Sequence, residues 1–566
     1  MNSSITSIGE LEAPIESLQV PLSGDVSQVA AAAAVLGALF HVSILRTVEV
    51  EKFLYKFAAL GFITVVSLCV AHIKNGYTIF AAILRVALSF VFFNGAVLMS
   101  MFIYRVFFHR LRRFPGPLGV KITRFYSAYT SSPDLQYFKL VMEWNRQYGD
   151  FIRTGPRELA IVRKSAVSVI YGPESKCRKS TWYAQVDTDS RKCSIHLMRD
   201  HDQHRKRRRA WDRGFAFKAL NTYEPLINAK VEEFITQLSK LETVDATAWS
   251  MYLSFDIMGK VGFGKDFYSV TRGEEHPAIE GVHSTMSILG FMSHVPWLLN
   301  LMGRIPGAAA AYKDFFNWCS SEIEAKKKNW NPEEYPQDIV SWLIKVVMDK
   351  EPSASPTDAA LHEDSRVIIV AGSETTATTL ASIFYFLAKH PSVQQKLQAQ
   401  VDSVLGEEWD YGKVKTITFI DDIINETLRL KPALLTGGYR VTPREGITVD
   451  GTFIPGDINV FVPVQGIQTD PRYWKEADEF IPERFGERRD EMGTDGAPFI
   501  PFSLGAYSCP GKNLAFLSLR ITLSRVMQEF DVSFAPGETG EVFDKEVKDT
   551  FTTLLPPMMI RFTKRK

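Results

Sequence analysis

"PFSLGAYSCPGK" (residues 501–512) places a cysteine, Cys509, in a loop punctuated by Gly505, Pro510 and Gly511. The other cysteines, at 69, 177, 193 and 319, have no such setting. A free cysteine is ordinarily a small buried apolar residue. One held between glycines at the mouth of a helix is placed to offer its thiolate. The helix is read from "NLAFLSLRITLSRVMQEF", where Leu514, Leu517, Ile521 and Val526 recur at helical spacing. Pro510 is tolerated at a helix start, and unpaired N–H groups with the positive dipole end favour the charged thiol there. The glycines let the backbone turn sharply and pass close to a flat ligand.

Working outward, four more stretches carry candidate chemistry. "NETLRLKP" puts Glu426 and Arg429 three apart, on one helix face. "FIPERF" (480–485) follows and contains Arg484. "AGSETTATTL" (371–380) sets the pair Glu374–Thr375 in a run of small residues, and a carboxylate beside a hydroxyl suits proton relay. "HDQHRKRRRAWDRGF" (201–215) has His204 and Arg208 four apart, and "GGYRVTP" contributes Arg440. Taken singly, a Glu/Arg pair is an ordinary surface pair, and a charge run is a solvated face.

In this order and company the stretches resemble the cytochrome P450 family. Its cysteine loop, Phe-x-x-Gly-x-Arg-x-Cys-x-Gly, is matched by Phe502, Gly505, Cys509 and Gly511. Tyr507 departs from it, because the family usually has Arg or His there to pair with a haem propionate. The resemblance implies heme b with Cys509 as axial ligand to the iron, a thiolate that pushes electron density toward O–O cleavage. It also implies that Phe502, Gly505, Tyr507 and Gly511 shape the haem's bed, and that His204, Arg208 and Arg440 grip the propionates. With a neutral Tyr507, those three are expected to bear more of the haem's negative charge. Gly372 is expected to leave room for dioxygen while Glu374 and Thr375 deliver protons. Glu426, Arg429 and Arg484 are expected to form a buried charge network under the cysteine loop.

The implied function is a haem-thiolate monooxygenase. It inserts one oxygen atom from O2 into a hydrophobic small molecule, with electrons from NADPH through NADPH-cytochrome P450 reductase. No Gly-rich dinucleotide or flavin signature stands in the chain, so the electrons come from a partner. Arg205, Lys206, Arg207, Arg209 and Arg213 are candidates for the reductase's docking face. Residues 181–199 and 285–306 are candidate pocket walls, and a fungal enzyme of secondary metabolism is the analogy. The alternatives are a rearrangement or dehydration enzyme of the same type, which the Glu374–Thr375 pair argues against, and a non-catalytic membrane haem sensor or carrier.

Composition sets the remaining bounds. Lys+Arg number 65 against 64 Asp+Glu in 566 residues, without the basic excess of a nucleic-acid binder. The cysteines show no CxxC spacing, which argues against a disulfide framework or a zinc site and for a reducing compartment. Apolar runs at about 29–45, 57–73 and 86–104 are candidate transmembrane helices, since a span needs about 20 apolar residues. A polar N-terminal stretch precedes them, unlike a cleavable leader. Arg105, Arg110, Arg112 and Arg113 mark the cytoplasmic end of the third run. Residues 1–113 thus read as a membrane region and 114–566 as the catalytic domain, joined by a Pro-rich hinge at 114–117. The reading places the protein in the endoplasmic reticulum membrane with the catalytic domain facing the cytosol.

The body reads as mainly α with a minor β sheet. Helices are expected across 230–241 and 390–406, a hairpin turning on Asp450–Gly451, a strand over 459–464, and surface loops over 326–339 and 350–358.

Overall fold

A computed structural model describes residues 25–186, 189–283, 286–302, 305, 307, 310–406 and 408–565. The polar N-terminal stretch, and parts of both candidate pocket walls, lie outside the described residues. The chain divides into two compact units, one ending at Arg112 and one beginning at Arg113.

The first unit holds three apolar helices, α1 (Val26–Phe40), α2 (Leu54–Lys74) and α3 (Ile79–Ile103). Asp25 caps α1 and Thr78 caps α3, each side-chain oxygen accepting a first-turn N–H. A Cβ at Gly37 would meet the Phe93 carbonyl oxygen at 2.2 Å, so glycine is what lets α1 approach α3. With their π-helical extensions the candidate spans are Val26–Leu45, Leu54–Lys74 and Ile79–Phe108. Their apolar windows are only 17%, 0% and 11% buried, so these side chains face outward.

In the second unit α4 (His201–Gly214), α5 (Phe217–Leu241), α6 (Ala246–Met258), α7 (Asp358–Lys389), α8 (Thr418–Leu430) and α9 (Lys512–Glu529) surround one large core. The 32-residue α7 is also long and apolar enough to span a membrane, but 67% of its apolar window is buried. It is the core's central rod, apolar on nearly every side because protein covers nearly every side. Thr357 starts it by accepting the N–H of Ala360 at 3.1 Å.

A five-stranded sheet is built from β1 (Phe151–Gly155), β2 (Glu158–Ile161), β3 (Arg178–Lys179), β4 (Arg440–Val441) and β7 (Asn459–Phe461) in the order β1-β2-β7-β4-β3. Its antiparallel β3–β4 register sets Lys179 directly opposite Arg440. The hairpin of β5 (Ile447–Val449) and β6 (Thr452–Ile454) turns on Asp450–Gly451, whose φ values of 46° and 76° are those of a type I′ turn. A second hairpin, β8 (Lys548–Thr550) with β9 (Thr552–Leu554), turns on Phe551 at φ 87°.

Two expectations need correction. The strand expected over 459–464 ends at Phe461, and Pro463, which has no N–H to give a sheet, precedes a short helix at Val464–Gln468. The loop expected over 326–339 begins later, because the helix Ala310–Asn329 runs through Lys326, Lys327 and Lys328. Cations in a last turn complement the helix dipole, so that run extends the helix.

Candidate active site

The cysteine loop is a tight hairpin. The N–H of Cys509 donates to the Phe502 carbonyl at 2.9 Å, and the N–H of Ser508 to that of Gly505 at 3.1 Å. Gly505 has φ +63°, and a Cβ there would sit 2.6 Å from the Tyr171 carbonyl oxygen, so both conformation and space require glycine. The Phe502 ring packs on Phe516 at 5.8 Å. α9 begins at Lys512 with Gly511 as its cap, three residues past the cysteine. Cys509 is exposed within this setting. Burial of its surroundings pushes the thiol up, while N–H groups of Gly511 and Lys512 and the charge of Arg208 favour the thiolate.

The foundation of that loop is a buried ionic cluster. Glu426 on α8 pairs with Arg429 at 2.7 Å and with Arg484 at 2.9 Å, and all three side chains are 0% exposed. The N–H of Ile481 also reaches Glu426 at 2.9 Å. The remaining guanidinium hydrogens go to the carbonyls of Gln468, Ala477, Glu479, Lys475 and Glu476. Gln468, which the sequence did not single out, carries the connection onward: its Oε1 accepts the N–H of Ile500 at 2.8 Å, beside the start of the cysteine loop.

Opposite chemistry comes from the middle of α7. Residues 377–387 are buried throughout, whereas Ala371 is exposed and Gly372, Thr375 and Thr376 are half-buried, an opening in the rod. Thr375 Oγ1 donates to the Ala371 carbonyl at 2.6 Å. Glu374 is buried and accepts from Thr552 Oγ1 at 2.7 Å. Burial pushes its pKa up against that hydrogen bond and the charge of His283, which makes it an acid able to hold a proton. A Cβ at Gly372 would meet Met258 Sδ at 2.5 Å, so this glycine serves the close packing of α7 on α6.

The expected anion-binding residues divide. His204 is buried, and burial together with Lys179, Arg208, His201 and Arg207 pushes its pKa down to about 2, so it is a neutral imidazole. Arg208 Nε pairs with Asp212 at 2.6 Å and its Nη1 donates to the Ser508 carbonyl at 2.7 Å, which fastens α4 to the cysteine loop. Arg207, expected on a docking face, is buried and ion-paired to Asp364 at 2.6 Å. It shares a stripe with His204, Trp211 and Gly214, the face α4 turns to the core. Arg205, Lys206, Arg209 and Arg213 are exposed; Arg205 pairs with Asp202 and Arg213 with Glu351.

Arg440 and a residue the sequence reading missed, Lys179, form the charged centre. Both are buried, and among the described residues neither has a carboxylate partner. Lys179 Nζ donates to the carbonyls of Ile195 at 2.9 Å and His196 at 2.7 Å. Arg440 reaches the Tyr439 carbonyl at 3.1 Å, and its buried Nε has no hydrogen-bond partner among the described residues. Both cations lie against the Tyr507 ring, with Lys179 Nζ 5.2 Å and Arg440 Cζ 5.0 Å from its centroid. Its hydroxyl is 3.3 Å from His201 Nδ1 and its ring 4.7 Å from that of His204. Burial and the neighbouring cations push Lys179 well below the usual lysine range, and burial with Lys179 and Arg440 pushes His196 down to about 3. The cluster is short of negative charge.

Residues 117–562 match the family model described as Cytochrome P450. The chain is 36% identical over 469 residues to Cytochrome P450 monooxygenase orf5 of Eupenicillium brefeldianum, covering 82% of this chain and 94% of the relative. It is 34% identical to Cytochrome P450 monooxygenase FCK2 of Fusarium pseudograminearum, covering 83% and 85% respectively. Tryprostatin B 6-hydroxylase of Aspergillus fumigatus is 31% identical, with 82% and 83% covered.

Proposed function

The chain belongs to the cytochrome P450 family, and on that footing we propose which of its residues hold the cofactor and what they do to the substrate. It is a monooxygenase, and its cofactor is haem. The residues fit that group: Cys509 is a soft donor steadied by N–H groups, and the buried cations Lys179 and Arg440, which have no carboxylate partner among the described residues, suit a ligand carrying two carboxylates. Haem, when bound, supplies the activation of dioxygen and the transfer of one oxygen atom.

In this reading Cys509 would hold the haem iron through its sulfur. Lys179 and Arg440 bind the propionates, and His204 stands by as a neutral hydrogen-bonding group. Tyr507 offers both cations its ring. Phe502, Gly505 and Gly511 shape the loop, while the ionic cluster of Glu426, Arg429 and Arg484 fixes its foundation. Glu374 stores a proton at its carboxyl group, and Thr375 passes protons on from the opening in α7. The substrate is a hydrophobic small molecule of secondary metabolism. Trp182 stacks on Phe551 at 5.1 Å and 8°, and Phe551 directly precedes the Thr552 that touches Glu374, so an aromatic wall stands beside the acid. Electrons arrive from NADPH through a reductase that docks on Arg205, Lys206, Arg209 and Arg213. The helices α1–α3 anchor the enzyme in the endoplasmic reticulum membrane with its catalytic unit in the cytosol.

The observation that carries this reading is the tight, glycine-dependent loop that holds Cys509 just before the start of α9. Cys509→Ser should abolish turnover and the red-shifted Soret band of the reduced, carbon-monoxide-bound protein. A mutant that keeps the band would place the ligand elsewhere. A substrate-binding spectral screen on the purified protein then identifies the substrate class.

A further inference from the structure

Glu374 is reached from outside the helix that carries it. While Oε2 accepts from Thr552, Oε1 lies 3.9 Å from His283 Nε2, on the short helix Pro277–His283. The other ring nitrogen of His283, Nδ1, pairs with Glu275 Oε1. Side-chain exposure falls along this series, from 28% at Glu275 to 23% at His283 and 7% at Glu374. Three proton-carrying groups therefore descend from solvent to the buried acid.

Resting on the reading of Glu374 as the proton store, we propose that His283 and Glu275 refill it. His283 is the relay, and Glu275 orients the ring and draws protons to it from water. In the transfer the Nε2–H bond of the imidazolium breaks and an O–H bond forms on Glu374 Oε1. The ring is left neutral, with its remaining hydrogen toward Glu275. Rotation of the half-exposed ring returns the vacated nitrogen to water for reprotonation. One proton moves from solvent to Glu374, and no electrons move.

Geometry distinguishes this from a fixed ion pair. A separation of 3.9 Å is too long for a hydrogen bond but one ring rotation or one bridging water short of transfer. Histidine also titrates where a relay must, near neutrality. The groups acting on its ring are Glu275 and Glu374: burial lowers its pKa, but the hydrogen bond and charge of Glu275, with Glu374, outweigh burial and raise it. The ring thus favours its charged form, ready to donate to the Glu374 carboxylate once that group has passed its own proton on, and burial favours the protonated acid that results.

The test compares His283→Gln, Glu275→Gln and Glu374→Gln in the full-length, haem-loaded protein with reductase. Product per NADPH consumed should fall on the order of tenfold in His283→Gln, with the difference appearing as hydrogen peroxide. Turnover driven by added hydrogen peroxide, which brings its own protons, should change far less. A readout independent of turnover is the His283 imidazole titration, followed by NMR with ring-labelled histidine. It should lie above the ordinary value and drop in Glu275→Gln. If His283→Gln fails to incorporate haem, the more exposed Glu275→Gln carries the comparison. Uncoupling in Glu374→Gln without uncoupling in His283→Gln or Glu275→Gln overturns the relay alone. Normal coupling in Glu374→Gln overturns the reading of Glu374 on which the relay rests.

Discussion

Replacing Glu426 with glutamine asks whether charge, rather than shape, secures the foundation of the cysteine loop. The carboxylate takes hydrogen bonds from Arg429 Nε at 2.7 Å, Arg429 Nη2 at 2.8 Å, Arg484 Nε at 2.9 Å and the N–H of Ile481 at 2.9 Å. Glutamine matches its size but turns an NH2 group toward hydrogens that are themselves donors. Two guanidinium ions with no exposure then face one neutral amide oxygen and backbone carbonyls, with no carboxylate in the cluster. Breaking a buried pair from one side costs about 3–5 kcal/mol, because the remaining charge stays buried. Against a typical unfolding free energy of about 5–15 kcal/mol, that is a third or more of the total in many proteins. The control has similar bond lengths and a different environment. Asp421 and Arg520 bond through two oxygens at 2.7 and 2.6 Å, yet their side chains are 35% and 28% exposed. Asp421→Asn should therefore cost only about 0–1 kcal/mol. Urea unfolding of solubilised, haem-loaded protein, followed by the Soret band, measures both as midpoint shifts at constant slope. Adding Arg484→Met to Glu426→Gln should recover part of the loss by removing one unpaired cation. Equal costs for Glu426→Gln and Asp421→Asn would falsify this account.

Other expectations follow from the same geometry. Lys179→Met should weaken haem retention on the order of tenfold to a hundredfold, the worth of one hydrogen bond to a charged group; unchanged haem loss to an acceptor protein would remove Lys179 from the site. His204 enters the folded state neutral, with its pKa lowered from 6.5 to about 2, so the unfolded chain alone takes up its proton as pH falls. Stability from this group is present above pH 6.5 and declines below it by about 1.4 kcal/mol per pH unit, and His204→Gln should remove that one-proton slope from denaturation measured across pH. Deleting residues 1–113 should release much of the protein from membranes while leaving the carbon-monoxide spectrum intact; loss of haem at equal expression would make the anchor part of the fold.

What the sequence made legible was local. The cysteine loop, the Glu426–Arg429 spacing and the Asp450–Gly451 turn each declare themselves within a few residues, where dihedral preference and helical period decide the outcome. Arg207 was misplaced although its periodicity was available. It falls on the stripe of His204, Trp211 and Gly214, and its charge concealed a core position that Asp364 neutralises. Gly372 was assigned to dioxygen from its small neighbours alone, and its packing against the Met258 side chain gave no signal in the sequence. His283, Glu275 and Thr552 gave no signal, because their proximity to Glu374 joins three separate segments of chain.

Lys179 and Tyr507 show most clearly what distance along the chain conceals. Taken from the sequence, a phenol in place of a cation leaves a propionate underserved, and the burden shifts to His204, Arg208 and Arg440. In the fold, His204 is neutral and Arg208 is held by Asp212 and the Ser508 carbonyl. On the proposed reading a further cation comes from another strand: β3 pairs with β4 so that Lys179 stands opposite Arg440. Two buried like charges repel, and a third at residue 507 would add to that repulsion. An aromatic ring instead offers each cation its negative face, at 5.2 and 5.0 Å, and costs no further charge. Tyr507 and Lys179 thus act as one device. On the proposed reading the lysine supplies the charge the tyrosine lacks, and the tyrosine ring lies against the buried lysine.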